Sequence, residues 1–312
     1  MNEHLALLRR CKVSWIYPIY VPSYSRAGGA PLLDILAKAP ESVQRRVHVM
    51  VRRNEQAAYR EAYPWARIVS ERGMGEGVGN ARAAILRNAE LHGYSRIVMM
   101  DDDVVHLSLM EKTIKEDGRS HTRRWSEKLA GQPTEAHLPR SLAVACYLAD
   151  RVFEQAPAAA YGSGRQGLFS GDVDTDIGAF ADKGGFPACV LFFDLNRFTW
   201  RDCPEPYRLH GEDLSMFLHT LSEGSQAFVI PSVAYDTKNG IESTIPLDPL
   251  DERGREDDLE AAFEIYPKVA QYLRPTMRNK NGGIMKIGVH WPQWYKDTKF
   301  APYIIPMQDL IN

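Results

Sequence analysis

The sequence of 312 residues predicts an α/β fold with a mostly parallel central sheet flanked by helices. In the first third of the chain, short runs rich in β-branched residues alternate with segments of helical character. Such alternation implies parallel strands joined by right-handed crossovers. A further apolar run, 95–100, ends abruptly in three aspartates, as a buried strand does when it reaches the edge of a sheet.

The same patterns place the individual elements. Strands are expected where β-branched, aromatic or apolar residues cluster between glycine, proline or polar residues: 13–21, 46–51, 66–70, 95–100, 188–195, 227–230 and 284–289. Helices are expected where the pattern is helical: 31–38, 56–63, 83–89, 138–155, a helix that opens with Glu212, and 256–270. The polar stretch 112–139 is predicted to be a functional or mobile loop, and 162–185 a loop or hairpin.

Three carboxylates, Asp101, Asp102 and Asp103, follow the fourth apolar run at the sheet edge where open α/β folds bind ligands. Side-chain alternation places Asp101 and Asp103 on one side and Asp102 on the other. Clustered carboxylates repel one another when ionised, and hard divalent cations prefer their oxygens. We therefore predict Mg²⁺ or Mn²⁺ on Asp101 and Asp103, bridging a substrate diphosphate. A solvated acidic turn is the alternative.

Two loops at the same edge carry groups suited to a nucleotide. The loop after the first strand can offer hydroxyls, a positive charge and a stacking ring, and Arg53 follows the second strand. The alternative for the first loop is an ordinary turn before a helix. The candidate binding residues of these loops are Pro22, Ser23, Tyr24, Arg26 and Arg53.

A glycine-rich segment, 71–82, leads into the helix at 83–89. Its glycines allow close backbone approach, and a helix start offers free N–H groups to a phosphate. Gly79 and Asn80 are predicted to contact the donor, and Arg82 to reach its diphosphate. The segment lacks the Gly-Lys-Ser/Thr ending of a Walker loop and does not follow the first strand, as a dinucleotide fingerprint would.

Acidic residues recur further along the chain. Glu212 and Asp213, the two candidate catalytic residues, open an amphipathic helix. Its dipole would keep Asp213 ionised as a proton acceptor; simple helix capping is the alternative. His290 is a candidate additional metal ligand, although a packed core histidine is the alternative. Aspartates spaced by two at 172–176 resemble a calcium loop but lack its closing glutamate.

The charge balance gives no overall attraction to polyanions. The formal net charge is −2, so contact with nucleic acid would have to use the local basic segments 119–128 and 274–286. For the first of these segments, a solvated surface is the alternative.

The expected location is the cytoplasm. The amino terminus does not read as a secretion signal, and no apolar run approaches the roughly 20 residues of a membrane helix. Four scattered cysteines form no Cys-x-x-Cys pair and indicate reduced thiols rather than a disulfide frame or zinc site: Cys11, Cys146, Cys189 and Cys203.

Four segments together resemble GT-A glycosyltransferases, in the order and spacing of family-2-like members, over roughly residues 13–235. The resemblance implies a nucleotide-sugar donor held by the first-strand loop and by a metal on Asp101 and Asp103. It places Asp213 where inverting members keep the base that deprotonates the acceptor hydroxyl. The segments are Pro22-Ser23-Tyr24-Ser25-Arg26, Gly79-Asn80-Ala81-Arg82, Met100-Asp101-Asp102-Asp103 and Gly211-Glu212-Asp213.

Within that superfamily, the runs 59–63, 79–82 and 101–104 resemble the TET-associated glycosyltransferases of bacteriophages. That family adds sugars to hydroxymethylated pyrimidines in phage DNA. The resemblance implies DNA containing 5-hydroxymethylcytosine as the acceptor and, for a phage-encoded chain, the host bacterial cytoplasm as the location.

Together these observations predict a metal-dependent, inverting glycosyltransferase that uses a nucleotide sugar, with a UDP-sugar favoured. Its catalytic domain is expected over 1–235, with an acceptor-binding or lid extension over 236–312 on the same core. Alternatives are a saccharide or protein acceptor, or a catalytically silent nucleotide-sugar or DNA-binding module. A sugar-1-phosphate nucleotidyltransferase would normally carry a loop rich in glycine, arginine and lysine after its first strand, which only residues 26–29 approach.

Overall fold

The computed structural model describes residues 13–72, 74–75, 77–114, 120–124, 134–166, 177–179, 187–200, 212–238, 255–278, 284–299 and 304–306. The strands are β1 Ile19–Pro22, β2 Val47–Met50, β3 Arg67–Val69, β4 Arg96–Met100, β5 Val104–Ile114, β6 Ser120–Arg124, β7 Ala159–Gln166, β8 Ile177–Ala179, β9 Val190–Asp194, β10 Gln226–Thr237, β11 Leu273–Arg278, β12 Ile284–Val289 and β13 Ile304–Ile305. The α-helices are α1 Pro31–Leu36, α2 Glu41–Gln44, α3 Gln56–Ala62, α4 Val78–Leu91, α5 Thr134–Gln155, α6 Glu212–Ser222, α7 Arg255–Ile265, α8 Pro267–Ala270 and α9 Trp291–Thr298.

An 11-stranded sheet runs through the described part of the chain in the order β13-β8-β10-β7-β9-β4-β1-β2-β3, with β5 and β6 attached through β10. The α/β fold with a central sheet flanked by helices is confirmed. Parallel pairing, expected for most of the sheet, is found in the block β3-β2-β1-β4 and between β7 and β10. The other pairings of this sheet are antiparallel, so the sheet is mixed and not mostly parallel as expected: β9 runs opposite to β4 and β7, and β10 runs opposite to β5 and β8.

Both faces of the central strands are buried, which explains their nearly continuous apolar sequences. Alternate residues of β1 enter opposite layers: Ile19 and Val21 pack with α1 and α5, whereas Tyr20 packs with α4. The layer around Tyr20 also holds Trp200 and side chains of α6 to α9. The sheet edge that bears the aspartates is therefore supported from both sides.

Several elements differ from expectation at their ends. The first strand begins only at Ile19, since Val13–Trp15 forms a 3₁₀ turn. Part of the expected loop 112–139 is a hairpin, in which β5 pairs with β6. A long strand with many polar side chains shows no clear alternation of apolar and polar residues in its sequence. Pairing with a neighbouring strand then decides that the segment is extended.

The C-terminal part of the chain packs on the layer around Tyr20. Strand β10 continues across residue 235, the expected domain boundary, and β13 pairs with β8 in the main sheet. Trp291 and Trp294 of α9 are buried, with the Trp291 ring 5.8 Å from that of Phe217. Among the described helices, none is both long and apolar enough to cross a membrane.

Candidate functional site

Three segments meet where the parallel strands end. Strands β1 and β4 pair in parallel, with Ile19 opposite Val98, so the loops after Pro22 and Met100 emerge side by side. The antiparallel partner β9 begins there, because Val190 pairs with Met100. The aspartates lie just beyond β4 in a turn, where the Val104 N–H donates to the Asp101 carbonyl over 3.2 Å.

Asp102 holds the loop after β1. The Ser23 hydroxyl donates to Asp102 over 2.5 Å, and the Arg26 guanidinium pairs with the other oxygen of the same carboxylate. Burial raises the pKa of Asp102 to about 6, although the Ser23 hydrogen bond and Arg26 oppose the rise. The predicted residues Ser23, Arg26 and Asp102 thus form one network, which orders the loop.

Two tyrosines of the α3 region bind the backbone of the same loop. The Tyr59 hydroxyl lies 2.7 Å from the Ser23 hydroxyl and accepts the Arg26 N–H over 3.0 Å. The Tyr63 hydroxyl accepts the Ala30 N–H, also over 3.0 Å. Because Ser23 gives its single proton to Asp102, Tyr59 must be the donor to Ser23. Residues 23–30 are therefore held at both ends by side chains four positions apart.

The remaining predicted donor contacts are arranged around this network. Pro22 is buried at the end of β1. The Tyr24 ring stacks on the Arg52 guanidinium, with the Arg52 carbon 3.9 Å from the ring centroid, while the neighbouring Arg53 is exposed. Because the guanidinium covers one face of the Tyr24 ring, the opposite face is the one on which a nucleotide base could stack.

Helix α4 begins at the glycine-rich segment. Gly79 is buried in its first turn, and Asn80 packs so closely on Gly75 that a Cβ there would lie 2.7 Å from the Asn80 amide nitrogen. Gly77 precedes the helix with φ +90° and ψ +156°, a conformation essentially restricted to glycine. The segment therefore needs its glycines to start the helix that carries Arg82.

Arg82 is the centre of the site. Its side chain is only 2% exposed, and one terminal nitrogen lies 3.1 and 3.3 Å from the two oxygens of Asp101. The same nitrogen lies 3.6 Å from Asp213. The Arg82 Nε is 2.8 Å from Glu212, but its N–H is not aimed at that oxygen, so this contact is an ion pair rather than a hydrogen bond. Arg82 thus joins the strand-end aspartate to the helix-start acids.

The predicted contact of Arg82 with a diphosphate stays a prediction, and the structure adds partners that were not expected. Its guanidinium is engaged by carboxylates from β4 and α6. Sequence reasoning missed these pairings because the partners, at positions 82, 101 and 212–213, come from three separate elements, and only the fold brings them together.

Glu212 and Asp213 occupy the first turn of α6, as predicted. Their surroundings differ: the Glu212 side chain is 11% exposed and close to Arg82, whereas Asp213 is 26% exposed and further from the cation. A proton acceptor needs access to its substrate, and a close cation weakens its basicity. Of the two, Asp213 has the better geometry for a general base.

The carboxylates and arginines around Arg82 form one cluster, in which negatively charged side chains outnumber positive ones. An excess of carboxylates suits a divalent cation. Burial raises the pKa of Asp101 and Asp103, and Arg82 counteracts it at both. Within the described residues, no three carboxylate, histidine or cysteine side chains are placed to hold a metal ion. Mg²⁺ and Mn²⁺ sites in transferases typically use one or two carboxylates, with waters and substrate phosphates completing the shell. The five acids and two arginines are Asp101, Asp102, Asp103, Glu212, Asp213, Arg26 and Arg82.

His290 lies outside this cluster. It is exposed at the N-terminus of α9, and its backbone N–H donates to the Tyr272 carbonyl over 2.7 Å. Among the described residues, it belongs to no group of three histidine, cysteine or carboxylate side chains that could hold a metal ion. Its role as a metal ligand stays a prediction.

Other predictions fall outside the described residues. These predictions concern the aspartates at 172–176 and Gly211. The side chains of the basic segment 119–128, and most of those in the segment 274–286, are also outside the described part of the chain. The sequence-based reading also passed over Cys189, which adopts a positive φ of +60° beside Asp101. Nothing in the sequence signals this, because the expected strand 188–195 places Cys189 inside a strand.

Residues 17–148 match the TET-associated glycosyltransferases. The matched segment is less than half of the chain. It contains the loop after β1, Arg82 and the three aspartates, and ends before Glu212. This match supports the interpretation that the chain is a glycosyltransferase with a nucleotide-sugar donor. No curated protein matches the chain significantly.

Solved structures with some similarity have low identity and TM-scores below 0.5. A mannose-1-phosphate geranyltransferase from Thermus thermophilus has 12% identity and a TM-score of 0.36, with 70% of this chain and 75% of that chain covered. A mannosyltransferase from Pyrobaculum calidifontis, in complex with GDP-Man and Mn²⁺, has 14% identity and a TM-score of 0.36, with 77% and 66% covered. GalNAc-T7 with UDP, GalNAc and Mn²⁺ has 9% identity and a TM-score of 0.40, with 71% and 44% covered. At these values the three structures do not bear on which sugar or acceptor this chain uses.

Proposed function

We propose that the chain transfers a sugar from a nucleotide sugar, with a UDP-sugar favoured, to a hydroxyl group. The favoured acceptor is a 5-hydroxymethylated pyrimidine in phage DNA, as the matched family suggests. The observation that carries the proposal is the Arg82 bridge, which gathers Asp101, Glu212 and Asp213 around one buried cation. Asp101, which would face the donor, and Asp213, which would face the acceptor, then share one site.

In this mechanism Asp213 takes the proton of the acceptor hydroxyl. The oxygen attacks the anomeric carbon while the bond to the nucleoside diphosphate breaks, so the configuration inverts. Arg82 fixes Asp101 and Asp213 relative to each other, since one of its nitrogens contacts both. The ordered loop from Ser23 to Ala30 holds the nucleotide, with Tyr24 stacked on its base.

Asp101 and Asp103 would hold Mn²⁺ or Mg²⁺, because they are grouped carboxylates with pKa values raised by burial. Such a cation supplies positive charge for the leaving diphosphate. Replacing Asp103 by asparagine should therefore weaken Mn²⁺ binding, measured with the metal alone by isothermal titration calorimetry. Equal Mn²⁺ affinity in the variant and the parent protein would contradict this assignment.

The proposal is tested by incubating the protein with DNA containing hydroxymethylcytosine, a panel of UDP-sugars and Mn²⁺. The DNA is then digested and its nucleosides are weighed by mass spectrometry. We expect the mass of one hexose or related sugar on hydroxymethylcytosine, and none on matched DNA with unmodified cytosine. Release of nucleoside diphosphate without any modified nucleoside would contradict the DNA acceptor but support a transferase.

A saccharide or protein acceptor is the second candidate, favoured by the net charge of −2, which gives no general attraction to DNA. Transfer to an oligosaccharide or peptide panel under the same conditions would support it. A silent binding module would bind UDP but neither hydrolyse the donor nor transfer its sugar.

Replacing Asp213 by asparagine tests the base directly. Asparagine keeps the shape but cannot accept the proton, so transfer should fall by at least about a hundredfold. Donor binding, measured by calorimetry, should change little, because Asp213 is only a distant partner of Arg82 at 3.6 Å. Transfer at more than a tenth of the parent rate would show that another group is the base.

A further inference from the structure

Cys189 has an unusual backbone conformation at the edge of the site. Its φ is +60°, a left-handed value that L side chains other than asparagine and aspartate rarely adopt. Glycine would adopt this conformation without strain. Strained positions of this kind cluster at functional sites, so the presence of a side chain here calls for a reason.

The backbone turn directs Cys189 towards Asp101. Val190 is the first residue of β9 and pairs with Met100, the last of β4. One residue further, the Cys189 carbonyl accepts the Asp101 N–H over 2.8 Å, while the Val190 N–H closes a tight turn with the Ala188 carbonyl over 2.6 Å. The left-handed turn thus extends the ladder by one bond and fixes the backbone of Asp101.

The Cys189 side chain contacts the Asp101 carboxylate as well. The thiol lies beside the Asp101 carboxylate on one side and beside the buried Tyr235 hydroxyl of β10 on the other. Arg82 binds the same carboxylate through both oxygens. Asp101 is therefore held between a guanidinium and a thiol.

A nucleophilic or redox role for Cys189 does not fit its surroundings. The side chain is partly buried beside a carboxylate, and reactive cysteines instead lie in electropositive surroundings. A protonated thiol is a weak hydrogen-bond donor, and a carboxylate is its best partner.

We propose that Cys189 is a positioning residue, which orients the Asp101 carboxylate for the cation that binds the donor diphosphate. Tyr235 donates to the sulfur, the sulfur donates to Asp101, and the left-handed backbone aligns the donor with the acceptor. This role rests on the proposed function. It extends that function by assigning the support of Asp101 to the residue just before β9, which touches neither the donor nor the acceptor.

The test compares Cys189→Ser, Cys189→Ala and Cys189→Gly with Cys146→Ala as a matched control in buried helix α5. Mn²⁺ affinity is measured by titrating the metal alone, and kcat and KM by donor hydrolysis. Loss of a partner of a metal-binding group typically costs tenfold or more in affinity. We expect Cys189→Ala and Cys189→Gly to bind Mn²⁺ about tenfold more weakly, Cys189→Ser within about threefold of the parent, and Cys146→Ala unchanged.

The glycine variant separates function from stability. It relieves the left-handed strain, so it should unfold no more easily than Cys189→Ala while binding Mn²⁺ as weakly. Unchanged Mn²⁺ affinity in the alanine variant would overturn the proposal, as would a serine variant as weak as alanine, since packing volume would then be the cause. A parent protein that fails to bind Mn²⁺ would also overturn it. Mn²⁺ binding in a parent that neither hydrolyses nor transfers a donor would instead contradict the proposed function alone.

Discussion

Arg82 shows how one residue can join distant parts of the chain. Its position after the glycine-rich segment was readable from the sequence, as was the acidic character of Asp101 and Asp213. That these charges neutralise one another was not, because the pairing depends on α6 beginning at the edge where β4 ends. Local sequence predicts which residue types carry the chemistry, and tertiary contacts decide their partners.

Replacing Arg82 by glutamine should leave buried carboxylates without a counter-charge. Breaking a buried ion pair by removing one partner costs about 3–5 kcal/mol, and we expect the free energy of unfolding in urea to fall by about that amount. Arg87→Gln is the matched control on the same helix, since Arg87 forms a half-exposed pair with Glu71 at 2.7 Å. Its loss should cost about 1 kcal/mol or less. Equal losses in both variants would contradict the role of Arg82.

His48 should make stability depend on pH. It is 2% exposed and stacked on Tyr20, and burial, together with Arg67 and His92, lowers its pKa to about 4 from 6.5. The unfolded chain binds the proton more readily, so the contribution to stability is present above pH 6.5 and is lost as the pH falls towards 4. Between about pH 7 and pH 5 the loss amounts to roughly 2 kcal/mol.

The variant His48→Phe tests this because it keeps a ring against Tyr20 but cannot be protonated. Urea unfolding of both proteins at several pH values gives the difference in free energy directly. The parent should lose about 2 kcal/mol more than the variant over this interval. Parallel pH profiles would show that His48 is not the titrating group.

At the scale of elements, the strands that end at the site were the most predictable. β2, β3, β4 and β9 lie within the expected ranges, because continuous apolar runs bounded by polar residues have few other solutions. β5 was missed entirely and β10 in part, since the second half of β10 forms a strand by pairing with β5, and the polar end of β5 by pairing with β6. Antiparallel β9 was predicted as a strand, but its direction is set by topology and not by local sequence.

Gly77 is the element-scale prediction, because it alone allows the turn into α4. Its φ of +90° and ψ of +156° should make Gly77→Ala cost about 1–3 kcal/mol in thermal unfolding. Donor affinity should fall as well, because the helix start carries Arg82. At Gly29 an added Cβ meets no atom within 4 Å, so Gly29→Ala should alter stability by less than about 0.5 kcal/mol. A Gly77→Ala variant as stable as Gly29→Ala would show that the backbone adapts.

At the scale of the whole molecule, the C-terminal part contributes to the core. Tyr266, Tyr272, Trp291 and Trp294 are buried in the same layer as Tyr20. The sequence predicted an extension on the same core after residue 235, and that division stays a prediction. Sequence composition changes there, but burial continues, because apolar residues spaced along polar helices do not stand out in composition.

A chain that ends at residue 235 should therefore not fold on its own. It would cut β10, which extends from Gln226 to Thr237, and would expose the apolar layer that Trp291 and Trp294 cover. We expect an insoluble product, or one without near-UV circular dichroism, compared with the full chain. A soluble fragment with a cooperative unfolding transition would establish an independent domain over 1–235.

The Tyr59 and Tyr63 hydroxyls, which hold residues 23–30, also bear on how quickly and how tightly this loop would bind the proposed nucleotide. Tyr59 and Tyr63 lie one helical turn apart, so a single short helix immobilises the whole loop as the chain folds. The loop thus loses its conformational entropy on folding, before any ligand binds. Binding then requires no slow rearrangement of the loop. Removing one phenol oxygen would return this cost to the binding step and appear as a less favourable binding entropy.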